Sequence, residues 1–168
     1  NSITSMGMFI KMAQDAELKA MLERHLPAHI QDYNIKVEYL SKADGPTQRL
    51  EVSKLVAILG NYTTPPTSNF PPLTPRTDAQ TLNDREIATS YLLTLKRAGR
   101  EYAWAAMEMS NPGLREFLKD AFTMSCNHAF EIWQWMVNKG FYPIEPATES
   151  SSNTVGSIYK KVNEPVTV

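Results

Sequence analysis

One cysteine, Cys126, stands among 168 residues, which excludes an internal disulfide and fits synthesis in a reducing compartment. Its neighbours in an apolar run, Met124, Phe130 and Ile132, lead us to expect a buried small hydrophobe and not a reactive thiol. No stretch of ~18 apolar residues occurs, which argues against membrane insertion. The first residues lack the basic region and apolar core of a signal peptide, which points to synthesis in the cytoplasm without Sec-type export. An excess of charge is missing too: 17 basic against 18 acidic residues leave a net -1 without large blocks of one sign, so no footprint for nucleic acid or an anionic membrane is present. Gly-rich phosphate loop, Gly-x-Ser-x-Gly elbow, Cys-x-x-Cys pair and His-Glu-x-x-His sequence are all absent, removing the commonest routes to nucleotide, hydrolase, redox and zinc-protease chemistry. Partners are expected among proteins or small molecules.

What is present is helical periodicity, in a length suited to one domain with a single core. From Asn83 to Met109, the residues Ile87, Tyr91, Leu95, Ala98, Tyr102, Ala105 and Met109 recur at intervals of four and three, the seam of a long amphipathic helix. Asn83 with Glu86 three positions on forms a variant of the capping box, and Asp84 suits the positive helix end. Asn111 and Pro112 then cap and open a second helix, so the two form an antiparallel hairpin. Leu114, Leu118, Ala121, Ser125, His128, Ile132 and Trp135 make its seam, widened by Phe117, Phe122, Ala129 and Met136. Lys139-Gly140 supplies a left-handed stop, and Phe141 and Tyr142 can fold back over the helix end as an apolar plug.

The front of the chain repeats the plan. Ile3, Met6, Ile10 and Ala13 predict a shorter helix and Gln14-Asp15 a break with Asp15 as cap. Leu18, Leu22, Leu26, Ile30, Tyr33, Val37 and Leu40 predict a longer helix that ends at Gly45-Pro46. Pro27 falls inside it, where a kink is expected. Laying Asp15 to Lys19 over Asn111 to Arg115 also brings Leu22 over Leu118, a constant offset of 96 residues, as two related hairpins would give.

Between the hairpins, Gln48 to Leu59 is expected as a further short helix closed by Gly60, followed by a proline-rich crossover from Tyr62 to Gln80. A long connection between two antiparallel hairpins separates ferritin-like bundles from simple up-down ones. The expected fold is therefore all-α: a ferritin-like four-helix bundle in one domain. Residues 1–45 are the first hairpin, 46–82 the short helix and crossover, 83–142 the second hairpin, and 143–168 an extended C-terminal arm held by packing of Ile158, Tyr159 and Val162.

The Leu82-Asn83-Asp84-Arg85-Glu86 opening, the Asn111-Pro112 break and the Asn138-Lys139-Gly140-Phe141-Tyr142 ending resemble, in order and spacing, the coat F domain of the spore coat protein F family of endospore-forming bacteria. The resemblance covers about a third of the chain. It implies a ferritin-like fold and a structural role in the spore coat or its assembly. It further implies other spore coat proteins as partners, deposition in the coat, and no catalytic residue or cofactor to carry over.

A ferritin-like bundle also raises a di-metal carboxylate site, which needs Glu-x-x-His pairs. No Glu is followed three places later by His. Two irregular sets remain as metal candidates, His25, His29 and Asp32 on one helical face and His128 with Glu131 on another. The competing expectation for these histidines is a set of satisfied core residues, with Tyr102, Ser125 or a tyrosine of the opposite hairpin as the partner of His128. No metal or cofactor is assigned. Trp133 and Trp135, two apart, point to different sides of their helix, so at least one of them is expected at solvent or at a partner. Trp133, Trp135, Phe141 and Tyr142 are the candidate contact surface, with homo-oligomer formation expected. The alternatives to a structural, non-enzymatic protein are a metal-binding protein or oxidoreductase using the His and carboxylate set, and a small-ligand module with a cleft lined by Tyr91, Tyr102, Trp104 and Met107.

Overall fold

The computed structural model describes residues 2–164 and is all-α across them, with no strand among the described residues. Five helices follow in order: α1 (Ser2–Met12), α2 (Ala16–Ser41), α3 (Asp84–Glu108), α4 (Pro112–Asn138) and α5 (Glu149–Ile158). α3 and α4 form the most extensive helix pair, α1 folds back on α2, and α2 on α4 and α1 on α3 join the pairs.

The caps fall where local chemistry placed them. Asn83 and Glu86 make a reciprocal capping box on α3, and Asn111 accepts from the Leu114 N–H with Pro112 in the first turn of α4. Asp15 accepts from the Glu17 and Leu18 N–H groups, both at 3.0 Å. Asp15 and Asn111, 96 positions apart, are thus equivalent N-caps. The Asp84 carboxylate accepts from the Gln14 and Asp15 N–H groups at 2.8 and 3.1 Å, and Lys139 reaches Asp15 at 2.7 Å. One end of the structure is pinned by these charge-assisted bonds between its two halves. At this same C-terminus of α4, Gly140 has φ +73°, while Phe141 N–H bonds the Met136 carbonyl at 2.8 Å and Gly140 N–H the Val137 carbonyl at 3.1 Å, a Schellman ending. Phe141 packs on Trp135 and Tyr142 on Trp133, so the closing aromatics do fold back.

Four sequence expectations are corrected. Residues 48–59 are not a helix but an extended strap. Its backbone is bonded by side-chain amides: Gln31 to Arg49 and Glu51, Asn127 to Ser53, and Gln134 to Val56, Ile58 and Leu59. Arg49 also pairs with Asp120. Contacts at 49, 53 and 56 keep step with 120, 127 and 134 on α4. Seven extended residues span about 23 Å and fourteen helical ones about 21 Å, so the two ladders match. Leu50 and Leu59 are buried beneath the strap.

The inward face of α2 is the second correction. Leu18 and Leu22 are buried, but the seam then continues through His25, His29, Asp32 and Ile35, while Ile30, Tyr33, Val37 and Leu40 are 40%, 55%, 41% and 88% exposed. The apolar line lies one residue, about 100° of helical rotation, away from the face that α3 and α4 cover. The helix itself continues through Pro27.

The third correction is on α4, where Cys126 and Phe122 lie on the exposed side, because the neighbouring positions 121, 124, 125 and 128 take the buried one. The fourth is the C-terminal arm. Thr148 caps α5 over the serine run, α5 buries no residue, and Ile158, Tyr159 and Val162 are exposed instead of packed. The arm's last residues, 165–168, lie outside the described range, as does residue 1.

Candidate functional site

Two apolar clusters divide the core. One joins α1 with Leu18, Leu22, Ile87, Tyr91, Leu95, Ile132 and Trp135, and the other holds Ile35, Leu50, Ala106, Phe117, Leu118 and Met124. Between them lies a buried polar layer from three helices: His25, His29 and Asp32 of α2, Tyr91 of α3, and Ser125, His128 and Glu131 of α4. All three histidines of the chain meet there. The rings of His25 and His128 are stacked with centroids 3.7 Å apart.

Hydrogen bonds determine which nitrogens carry protons. Arg24 pairs with Glu131, and the other carboxylate oxygen lies 2.8 Å from His25 Nε2. Tyr91 Oη lies 3.1 Å from His25 Nδ1 and 3.0 Å from His29 Nε2, and His29 Nε2 is 3.3 Å from His128 Nδ1. The carboxylate only accepts, so His25 donates from Nε2 and accepts at Nδ1 from the Tyr91 hydroxyl. The Tyr91 oxygen in turn accepts from His29 Nε2–H, which also faces the lone pair on His128 Nδ1. Every link is a neutral imidazole. Burial pulls His25 down to about 3, with help from the charges of Arg24 and His29. Burial also takes His29 to about 4 against the opposing pull of Asp32, and His128 to about 2 with His25 and His29 adding to the effect. The contact between His25 and Glu131 is therefore a hydrogen bond donated by a neutral imidazole. Burial, then Glu131, raises the Tyr91 hydroxyl well above its ordinary range.

A second polar group adjoins this layer. Lys36 Nζ is 2.6 Å from Asp32 and 2.8 Å from the Tyr102 hydroxyl, which is itself 2.9 Å from Asp32. Burial lowers the Lys36 pKa, but the bonds to Asp32 and Tyr102 outweigh it and the net shift is upward. Burial and the Asp32 charge raise Tyr102. His29, Asp32, Lys36, Tyr91 and Tyr102 line a cleft of ≈ 910 Å³ bounded by α1, α2 and α3, with Met124 and Ser125 of α4 on its floor. Ser125 is 1% exposed and its Oγ has no hydrogen-bond partner among the described residues.

Of the five metal candidates, His25, His29, His128 and Glu131 come together, and Asp32 sits beside them in the Lys36 pair. Among the described residues, no set of three or more His, Cys, Asp or Glu side chains is arranged to hold a metal ion. Stacked rings direct the nitrogens of His25 and His128 along parallel lines and not to one point, and Arg24 and Lys36 occupy the carboxylates. The partner of His128 is His29 and not Tyr102 or Ser125. Tyr91 and Ser125 are the layer residues outside the metal candidates, and Arg24 and Lys36 are the flanking cations that pair with its carboxylates. Tyr91 was legible as a seam position, and Lys36 as an i,i+4 partner of Asp32.

The contact-surface candidates divide. Trp135 is 1% exposed, with its indole N–H 3.4 Å from Asp15, so it belongs to the core. Trp133 is half-buried in a stack with Phe130 and with Tyr62 of the crossover, and Phe141 is half-buried beneath Arg85. Tyr142 remains at the surface. The well-exposed tryptophan is Trp104 on α3, beside exposed Met107, so neither joins Tyr91 and Tyr102 in the cleft as expected.

Residues 83–145, the whole α3–α4 hairpin with its aromatic ending, match the Coat F domain. Over 149 residues, 85% of this chain, the sequence is 25% identical to the spore coat protein F-like protein YhcQ of Bacillus subtilis (strain 168), and the match takes in 66% of that protein's length. No solved structure matches the chain.

Proposed function

We propose, from the premise that this chain carries a Coat F domain at residues 83–145, that it serves as a structural or assembly component of the spore coat. In this reading it acts through protein contacts on a ferritin-like scaffold of two helical hairpins, without catalysis. The observation that carries the reading is the outward stripe Ile30, Tyr33, Val37 and Leu40 on α2, with spacings of three and four and exposures from 40% to 88%. Such a repeat suits docking of another helix in a protein interface. Trp104 and Met107 on α3, 67% and 69% exposed, add aromatic and thioether groups of the kind enriched at contact surfaces. The polar layer supports a scaffold: its three histidines are tied through the Tyr91 hydroxyl, Glu131 and one another into a single hydrogen-bonded row. No helix among the described residues is long and apolar enough to cross a membrane, so association would run through these surfaces.

Two measurements test this. A fluorescent fusion expressed in a sporulating bacterium is expected to form a shell around the developing spore; diffuse signal in the mother cell throughout sporulation would overturn the coat assignment. Sedimentation of the purified chain is expected to show concentration-dependent self-association that the double substitution Val37→Glu/Leu40→Glu reduces at least tenfold. An unchanged distribution in that variant would remove the α2 stripe as the interface.

A further inference from the structure

The cleft beside the polar layer has an imbalance that protein contacts do not explain. Asp32, the carboxylate in its wall, already accepts from Lys36 and Tyr102 through both oxygens. Lys36 has three N–H donors, of which Asp32 and Tyr102 take two. Arg97, also on the lining, forms no ion pair among the described residues. Ser125 Oγ, buried on the floor, has neither donor nor acceptor partner among them. Among the charged groups of the lining, donors are therefore in excess, with one positive charge left after Asp32 and Lys36 cancel. Phe9, Leu95 and Met124 supply an apolar wall on the same cleft. The cleft thus sets an apolar wall against convergent polar and charged groups, the combination by which small-molecule sites hold and orient a ligand.

We propose that this cleft binds a small carboxylate with an aromatic or aliphatic body, anchored by Arg97, Lys36 and Ser125. The carboxylate supplies the acceptors and the negative charge that Arg97 and the third Lys36 N–H lack, and a further acceptor or the carboxylate itself reaches Ser125. A guanidinium is well suited to a planar carboxylate because its N–H groups match both oxygens. The volume of ≈ 910 Å³ lies within the range of drug-sized ligand sites. This binding goes beyond the coat role and does not depend on it.

The test uses 3-phenylpropanoate as probe and 3-phenylpropanamide as its neutral counterpart, titrated into the isotopically labelled chain and followed by backbone amide shifts. Saturable shifts confined to His29, Lys36, Thr94 to Ala98 and Ser125, at millimolar or lower probe, support the proposal when the amide binds at least fivefold more weakly. Arg97→Gln, a surface change, is expected to weaken the carboxylate at least threefold and leave the amide unaltered. Ser125→Ala is expected to weaken both, and Thr94→Trp to abolish both by filling the mouth. Equal binding of acid and amide, or indifference to Arg97→Gln, would overturn the anionic assignment. Absence of shifts, or shifts gathered at Ile30, Val37 and Trp104 instead, would overturn the site.

Discussion

Gly140 shows how much one backbone angle carries. Its φ of +73° lies where a side chain costs about 1–2 kcal/mol, and an added Cβ would stand 2.0 Å from the carbonyl oxygen of Asn69. Gly140→Ala is therefore expected to lose at least about 2 kcal/mol in urea denaturation, since relief would require the crossover to shift. A loss below half of that would show that the turn relaxes freely. The histidines make a second case, in which pH reads out burial. His25, His29 and His128 are held near 3, 4 and 2, whereas an unfolded histidine titrates near 6.5. Between about pH 6.5 and 4 the unfolded chain takes up protons that the folded chain refuses, so stability falls as the pH falls. The slope approaches about 1.4 kcal/mol per pH unit for each histidine. Urea midpoints measured from pH 7.5 to 4.5 should decline steeply below pH 6.5, and a flat profile would refute the neutral, buried assignment.

Among the elements, the strap at residues 48–59 depends most on a single side chain. Gln134 is fully buried, its carbonyl accepting from Ile58 N–H, Leu59 N–H and the Tyr62 hydroxyl and its amide donating to the Val56 carbonyl. A glutamine on the core side of a helix looks misplaced until the strap supplies its partners. Gln134→Leu keeps the bulk but leaves those backbone groups unbonded, at about 1–3 kcal/mol for each that remains buried. Limited proteolysis should then cut within residues 50–62 several times faster while the α3–α4 hairpin stays protected. Cleavage at the wild-type rate would mean that Leu50 and Leu59 hold the strap by burial alone.

In the whole molecule, apolar clusters above and below the polar layer hold the helices together, while the layer selects their register. A hydrogen-bonded row across α2, α3 and α4 can be satisfied in only one alignment, and a slip of any helix would strand buried donors. The same alignment turns the apolar line of α2 outward and opens the cleft beside α1. The proposed contact stripe and the cleft both follow from that alignment, and because Val37 and Leu40 face outward, their substitution is expected to change association without changing the fold.

Much of this was determined locally and could be read from the chain. The caps at Asp15, Asn83 and Asn111 and the stop at Gly140 depend on groups within a few residues of each other, so the sequence alone sufficed. The rotation of α2 did not follow from its sequence. Its apolar stripe and its polar line are both regular, and only the groups offered by Tyr91, Glu131 and His128 make the polar line the buried one. The strap was misread for a related reason: the periodicity of residues 48–59 suits a helix, but the amides of Gln31, Asn127 and Gln134, distant in sequence, bond its extended backbone. Local hydrogen bonds determined the helices; bonds between residues far apart in the chain decided which faces they bury.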